Sequence, residues 1–204
     1  GSRLVGSEMC IRDSVNLSGA YLESDFPRIR PDYDRIGRMA AWHLLDRGYR
    51  RFGFYGITDV WYSEGYEASF CHELSARGLD CSVLNVAATL GSKTRWDIGQ
   101  GELELWLGTI HPPFAVMAAH DPRAAMVIRA CERVGLRVPD DVAVIGVNND
   151  TVSCESCHPP LSSIERNDAE IGEEAARLLD RLIQGKEVSV SYTHLTLPTS
   201  SVVV

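Results

Sequence analysis

The sequence predicts an α/β fold in which a parallel β-sheet is flanked by helices. Short apolar runs alternate with amphipathic helical segments about four times along the 204 residues, a pattern typical of parallel strands joined by right-handed crossovers. The clearest strand is Val142–Val147, an apolar, β-branched run that is too short for a typical helix. Asn148, Asn149 and Asp150 follow it at the carboxyl end, where open parallel sheets bind ligands. A small-molecule pocket at this edge is the first hypothesis.

Composition and charge narrow the class of protein. Hydrophobic residues make up 45% and charged residues 24% of the chain, as in ordinary soluble globular proteins. The net charge of −8 predicts no basic surface for a phosphate backbone, so this chain alone is expected to bind nucleic acid poorly. Because no apolar run approaches the roughly 20 residues of a membrane span, no membrane partner is expected.

The amino-terminal half predicts two helices between strands. An aspartate, Asp32 or Asp34, caps the first helix and Gly48 ends it. Its apolar stripe consists of Tyr33, Ile36, Gly37, Ala40, Ala41 and Leu44. The predicted elements are a strand end at Val15–Gly19, the first helix to Arg47, a strand at Arg51–Gly56, a loop at Ile57–Tyr62, a helix at Ser63–Arg77 and a strand at Cys81–Val86.

The carboxyl-terminal half continues the alternation. Asp121 as the N-cap and Pro122 at the first helical position form a strong helix start. Asn167 and Glu170 resemble a capping box before the last helix. The predicted elements are a helix at Thr94–Gly108 whose apolar positions include Leu103, Leu105 and Leu107, a strand at Phe114–Ala119, a helix at Asp121–Val134, the strand Val142–Val147, a loop at Asn148–Ile164 and a helix at Asp168–Gln184.

No catalytic signature is present, and the sequence predicts a protein that is not an enzyme. Nucleophile-elbow, phosphate-loop and zinc-protease motifs are all absent. Cys154 and Cys157 have C-x-x-C spacing and precede His158, but a zinc site needs a second ligand pair that the sequence lacks. No metal or cofactor is therefore expected, although an enzyme that uses Cys154 or His158 remains an alternative to test.

Polar and aromatic residues follow successive predicted strands, at Asn16, Tyr62 to Tyr66, His120-Asp121 and Asn148-Asn149. Such a set suits a sugar, because amide and carboxylate groups pair with vicinal hydroxyls while Trp61 or Tyr62 covers an apolar sugar face. Asn and Asp are also common in strand-to-helix loops for reasons of turn chemistry. The residues alone leave both interpretations open, and Asp121 could cap a helix as well as contact a ligand.

Four segments together resemble the effector-binding domain of the LacI/GalR family of transcription regulators. They are DYDRIGRMAAWHLLDRGYRRFGFYG at 32–56, HDPRAA at 120–125, GLRVPDDVAVIGVNND at 135–150 and PPLSSI at 159–164. Within the family the chain is most similar to the type that regulates xylose operons, which carries an AraC-type helix-turn-helix pair at its carboxyl end. The resemblance implies a type I periplasmic-binding-protein-like fold, of which this chain holds mostly one of the two subdomains.

The resemblance also implies which residues line the ligand cleft between the two subdomains. Asn16 stands at a strand end where the family often has aspartate, and Tyr66 stands where many members have an arginine that clamps ligand hydroxyls. Tyr62 matches a stacking aromatic. The remaining positions are His120, where asparagine is frequent, Asp121, which the family shares, and Asn148, where aspartate is usual.

The function expected from this resemblance is sugar sensing by a bacterial transcription regulator. The effector would be a small carbohydrate, with a pentose such as xylose favoured, and the complete protein would be a cytoplasmic homodimer that contacts DNA through a domain outside this chain. A periplasmic sugar-binding protein of a transport system is the alternative, because it shares the fold. The VPDDVAVIGV segment at 138–147 and the cysteines favour the regulator.

The two ends differ in composition from the rest of the chain. SEMCIRDS at 7–14 and VSYTHLTLPT at 190–199 resemble translated sequencing-adapter read-through. We therefore expect residues 1–14 and 189–204 to be non-native and the sugar-effector-binding domain to occupy residues 15–188. A terminal strand at Val190–Leu197 is the alternative that propensity allows. The resemblance further implies that the last helix lacks its native sheet, with Leu178, Leu179 and Leu182 exposed or repacked.

Overall fold

The structure, a computed structural model, describes residues 14–17, 27–87, 93–186, 193–194 and 202–203. The chain forms two compact units, and the boundaries between them fall at residues 32–33 and 166–167. Unit 1 holds the described residues before Tyr33 and those of 167–194, and unit 2 holds 33–166 and 202–203. The predictions for residues 1–13, 18–26 and most of 187–204 lie outside the described residues.

Unit 2 contains a six-stranded sheet. Its strand order is β3-β2-β4-β5-β6-β8, in which the first five strands are parallel and the last is antiparallel. The strands are β2 (Phe52–Thr58), β3 (Cys81–Ala87), β4 (Phe114–Ala118), β5 (Val142–Val147), β6 (Ser162–Ile164) and β8 (Val202–Val203). The predicted parallel sheet flanked by helices is confirmed.

Five helices belong to the same unit and connect its parallel strands or precede them. They are α1 (Tyr33–Asp46), α2 (Trp61–Ser75), α3 (Lys93–Leu107), α4 (Asp121–Val134) and α5 (Thr151–Ser156). All six residues of the stripe predicted on α1 are buried, which confirms that face. On α3, Leu103 and Leu107 are buried as expected, whereas Leu105 is 78% exposed and does not belong to the core face.

The core of unit 2 lies between the central strands and the helices. Every residue of β4 and β5 is buried, because helices cover both faces of a parallel sheet. Aliphatic side chains of β4 and β5 pack with the inner faces of α3 and α4, including Leu103, Leu107, Val127 and Ile128. This packing fixes the ends of the strands and therefore the loops that follow them.

Three local predictions were wrong. Helix α2 begins at Trp61, two residues before the predicted Ser63. Its N-cap is Val60, which makes no side-chain hydrogen bond and therefore gives no capping signal in the sequence. The N-cap of α4 is His120, not Asp121. The predicted loop at 148–164 contains the short helix α5 and the strand β6, whose serine-rich sequence carries little strand signal.

Unit 1 contains β1 (Ile29–Arg30), α6 (Asp168–Ile183) and β7 (Thr193–His194). Strand β1 pairs in parallel with β7. Ile29 packs with Ile171, Ala175 and Leu178 of α6, so Leu178 is buried, while Leu179 and Leu182 are half-buried. At the start of α6 the side chain of Asn167 bonds to that of Glu170 and not to a backbone N–H, so the predicted capping box does not form as such.

No helix in the described part of the chain has the length and apolar character that a membrane crossing requires.

Candidate functional site

Three loops of unit 2 meet at the carboxyl edge of the sheet, since β2, β4 and β5 are neighbouring parallel strands. The loop after β2 leads into α2 with Tyr62 and Tyr66 in its first turns. The loop after β4 carries His120 and Asp121, and the loop after β5 carries Asn148. Five of the six residues predicted for the site therefore come from adjacent loops.

Asp121 links two of these loops, those after β4 and β5, to strand β6. Its Oδ2 accepts a hydrogen bond of 2.7 Å from the Asp150 backbone N–H, and its Oδ1 accepts one of 2.6 Å from the Ser163 hydroxyl. The residue is fully buried, and this burial raises the pKa of its carboxyl group despite the two hydrogen bonds. Gly146 passes so close that a Cβ there would lie 2.2 Å from Oδ1. Asp121 thus joins α4, β6 and the loop after β5, and its predicted ligand contact stays a prediction.

The loop after β5 has an unusual backbone. Asn148 and Asn149 have φ angles of 112° and 53°, in the region that favours glycine. Backbone hydrogen bonds hold this turn, from Asn148 N to Ile164 O at 3.0 Å and from Asn149 N to Ser163 Oγ at 2.9 Å. The Asn149 amide also donates to Glu165 at 2.8 Å. Strained backbone that its surroundings hold in place is frequent at ligand sites.

An aromatic cluster borders this edge, formed by Tyr33, Trp61, Tyr62, Tyr66 and His120. The Tyr62 ring lies 5.2 Å from Trp61, 6.1 Å from Tyr66 and 6.5 Å from His120, measured between ring centroids. Tyr66 is 1% exposed and packs edge-on to Tyr33 at 5.6 Å. Tyr62 and Trp61 are half-buried, so their rings are the ones that offer apolar surface to a ligand.

His120 is a neutral imidazole in this environment. Burial and the nearby Arg123 charge lower its pKa from 6.5 to about 4. Its Nδ1 accepts a hydrogen bond from the Arg123 backbone N–H at 3.2 Å, which leaves the ring proton on Nε2. At neutral pH the half-buried ring therefore carries one donor and no charge.

Arg123 is a residue of this region that the sequence analysis missed. It lies in the first turn of α4 with 6% exposure, and its guanidinium carbon is 5.0 Å from the centroid of the Tyr55 ring. Helical spacing was the available signal, because Arg123 stands one turn before Val127 on the buried face of α4. A positive charge on an otherwise apolar stripe indicates a residue that is buried for a reason other than hydrophobic packing.

Asn16 is the one predicted site residue that belongs to unit 1. It forms a single parallel bridge with Arg28, through hydrogen bonds from Asn16 N to Pro27 O and from Ile29 N to Asn16 O. The structure thus places it at the edge of the β1 region. Its predicted ligand contact stays a prediction.

The thiols of Cys154 and Cys157, the pair with C-x-x-C spacing, are not reactive at neutral pH. Burial raises the pKa of Cys154 to about 12 and also raises that of Cys157, so both thiols stay protonated at neutral pH. Among the side chains that the structure describes, no group of three His, Cys, Asp or Glu residues is arranged to hold a metal ion.

Comparison with known proteins identifies similar sequences and folds. A family model for the periplasmic binding protein-like domain matches residues 41–204. The xylose operon regulatory protein of Haemophilus influenzae is 29% identical over 197 residues, which are 93% of this chain and 50% of that protein. The chain spans about half the length of the curated relatives it matches.

Solved structures agree with these sequence matches. The xylose-binding transcription activator xylR superposes with a TM-score of 0.79 at 26% identity, over 88% of this chain and 48% of that one. The regulator CelR in complex with cellobiose superposes with a TM-score of 0.66 at 25% identity, over 85% of this chain and 52% of that one.

Proposed function

Since the chain belongs to the periplasmic-binding-protein-like family, with LacI-type transcription regulators among its relatives, we propose that it is the sugar-sensing effector part of a bacterial transcription regulator. The relatives are named as transcription regulators. The proposed ligand is a small carbohydrate, with a pentose such as xylose favoured.

One observation carries the proposal. Half-buried aromatic rings and uncharged donors lie side by side at the carboxyl edge of a parallel sheet, where this architecture binds ligands. Tyr62 supplies a ring for the apolar face of a sugar, and the Nε2 of His120 supplies a donor. The side chain of Asn148, half-buried on a strained turn, offers both a donor and an acceptor to hydroxyl groups.

The choice of a pentose rests on the relatives. Two of them are named for xylose, and a third was solved with cellobiose, so carbohydrate recognition recurs among similar proteins. Tyr66 and Asp121 complete the proposed set in unit 2, Tyr66 as a contact and Asp121 as the residue that also positions the loops. Asn16, which belongs to unit 1, is proposed separately as a contact on the family resemblance alone.

The proposed mechanism is a shift between conformations. A sugar that binds one conformation more tightly increases the population of that conformation, and the changed shape is passed to DNA-binding modules. In the complete protein we expect a cytoplasmic homodimer whose DNA contacts come from a domain outside this chain. The alternative function, a periplasmic sugar-binding protein of a transport system, uses the same fold and the same pocket chemistry.

Calorimetry against a panel of pentoses and hexoses tests the proposal. We expect at least one neutral sugar to bind, and Asn148→Ala to weaken that binding about tenfold through the loss of hydrogen bonds to the ligand. The matched control is Asn85→Ala, an exposed asparagine on the edge strand β3 whose amide bonds to Glu67.

The control should bind the sugar as tightly as the parent. Equal affinity of the parent and Asn148→Ala would remove Asn148 from the site, and the absence of binding to every sugar would refute the proposed function.

A further inference from the structure

Arg123 is buried without the partners that a charged group normally has inside a protein. Its exposure is 6%, and its buried Nη1 has no hydrogen-bond partner among the described residues. Among the described residues, the Tyr55 hydroxyl acts on the guanidinium through a hydrogen-bond and a charge interaction that affect the pKa of both groups, although the two do not meet in good hydrogen-bond geometry. The stacking of the guanidinium on the Tyr55 ring is the one favourable contact of clear geometry.

Nearby acidic groups do not supply the missing acceptor. Both oxygens of Asp121 are engaged with Asp150 N and Ser163 Oγ. Asp150 accepts from Ser153, and Glu165 accepts from Asn149. The groups that act on the Arg123 charge are the phenols of Tyr55 and Tyr62.

A buried guanidinium whose acceptor is a phenol is unfavourable, because the charge has lost most of its water and no carboxylate compensates for it. Burial accordingly lowers the pKa of Arg123. Tyr62 and His120 both feel its charge, and both are half-buried at the proposed sugar site. The Arg123 backbone N–H also bonds to the His120 ring at 3.2 Å, so Arg123 stands on the helix turn that begins at this site.

We propose that Arg123 is the cationic ligand contact of this site, donating hydrogen bonds to acceptor oxygens of a bound sugar. The inference rests on the proposed function and deepens it, since it adds a residue that selects for ligand chemistry. A planar guanidinium suits two adjacent oxygens, either the vicinal hydroxyls of a neutral sugar or the carboxylate of a sugar acid.

The experiment combines calorimetry with thermal unfolding of the full chain. The variants are Arg123→Met, Arg123→Lys and the matched control Arg129→Met, which removes an exposed arginine from the same helix. The two probes are D-xylose and D-xylonate, which share a carbon skeleton and differ in the carboxylate.

Arg123→Met should bind the preferred probe at least about tenfold more weakly than the parent, and Arg123→Lys should recover part of that loss. Without ligand, Arg123→Met should melt at the same temperature as Arg129→Met or higher, because an uncompensated buried charge has been removed. If Arg123 had a merely structural role, Arg123→Met would melt at a lower temperature than Arg129→Met. A loss of affinity for xylonate alone identifies a contact with the carboxylate. A loss of affinity for xylose identifies a contact with hydroxyl groups.

Unchanged affinity in Arg123→Met would overturn the inference. So would a melting temperature several degrees below that of Arg129→Met in the absence of ligand. If neither probe binds the parent, the pentose proposal fails, and the unliganded melting temperatures still decide the role of Arg123.

Discussion

His120 and Asp121 are neighbours in the chain with different roles. His120 keeps its ring half-buried among the aromatic residues, whereas the buried Asp121 carboxylate accepts hydrogen bonds from the loop after β5 and from strand β6. The difference follows from the helix start, because the N-cap residue lies outside the first turn and the next residue points into the packing. Adjacent polar residues in one motif thus divide into a half-buried ring and a buried structural carboxylate.

The lowered pKa of His120 predicts a pH-dependent stability. The unfolded chain binds a proton near pH 6.5, while the folded protein resists protonation until about pH 4. The contribution of His120 is therefore fully present above pH 6.5 and is lost as the pH falls from 6.5 to 4. Urea unfolding across this range should show a declining free energy of unfolding, and the decline should be shallower in His120→Gln.

His72→Gln is the control for this measurement, since His72 is exposed on α2. It should show the same decline as the parent. Equal slopes for the parent and His120→Gln would contradict a neutral, buried His120. His43, whose pKa is also lowered to about 4 by burial and by the Arg47 charge, contributes to the decline that remains in His120→Gln.

The sequence predicted the positions of the site residues better than their roles. Strand ends could be read from apolar runs and turn residues, which placed Tyr62, His120 and Asn148 at one edge of the sheet. The inward orientation of Asp121 depends on Ser163, which is 42 residues away and which no local pattern links to it. The buried Nη1 of Arg123 that lacks a hydrogen-bond partner is likewise recognised only from the positions of its neighbours in the structure.

Among the helices that the structure describes, α1 and α2 share the most extensive contact. Ser69 of α2 donates to the Tyr33 carbonyl at 3.1 Å, which ties α2 to the first residue of α1. A Cβ on Gly37 would lie 1.9 Å from Ser69 Oγ and 2.7 Å from the Phe70 backbone N. Because backbone cannot move aside cheaply, this contact sets how closely the two helices approach and where α2 presents Tyr62 and Tyr66.

Gly37→Ala should destabilise the protein by about 1–3 kcal/mol, because the added methyl group forces the helices apart. Gly101→Ala on α3 is the matched control, since a Cβ there meets nothing within 4 Å. The control should be neutral or more stable by up to about 1 kcal/mol, as expected of alanine in a helix. Denaturant unfolding measures both, and equal stabilities would show that α1 and α2 separate without cost.

Element boundaries show where sequence reasoning is weakest. The long amphipathic helices and buried strands were predicted within one or two residues, because their periodicity extends over several turns. Helix α5 and strand β6 were missed because each is short and polar. Their formation depends on pairing of β6 with β5 and on Asp150 as an N-cap, both tertiary circumstances.

For the whole chain, the net charge bears on whether it binds nucleic acid. With a net charge of −8, the protein should show no measurable affinity for duplex DNA at physiological ionic strength. Fluorescence anisotropy with a labelled duplex tests this in the presence and absence of xylose. Salt-sensitive binding in the micromolar range would contradict the prediction and would point to a basic surface that the overall charge conceals.

The hydrogen bonds of Asp121 have a practical consequence for engineering. The residues that shape the loops, Asp121, Ser163 and Gly146, are buried, while Tyr62 and Asn148 are half-buried and stand outside that network. A mutant library that varies the second group and leaves the first intact should retain folded members at high frequency. Such a library would be a starting point for biosensors whose selectivity is retuned without rebuilding the scaffold.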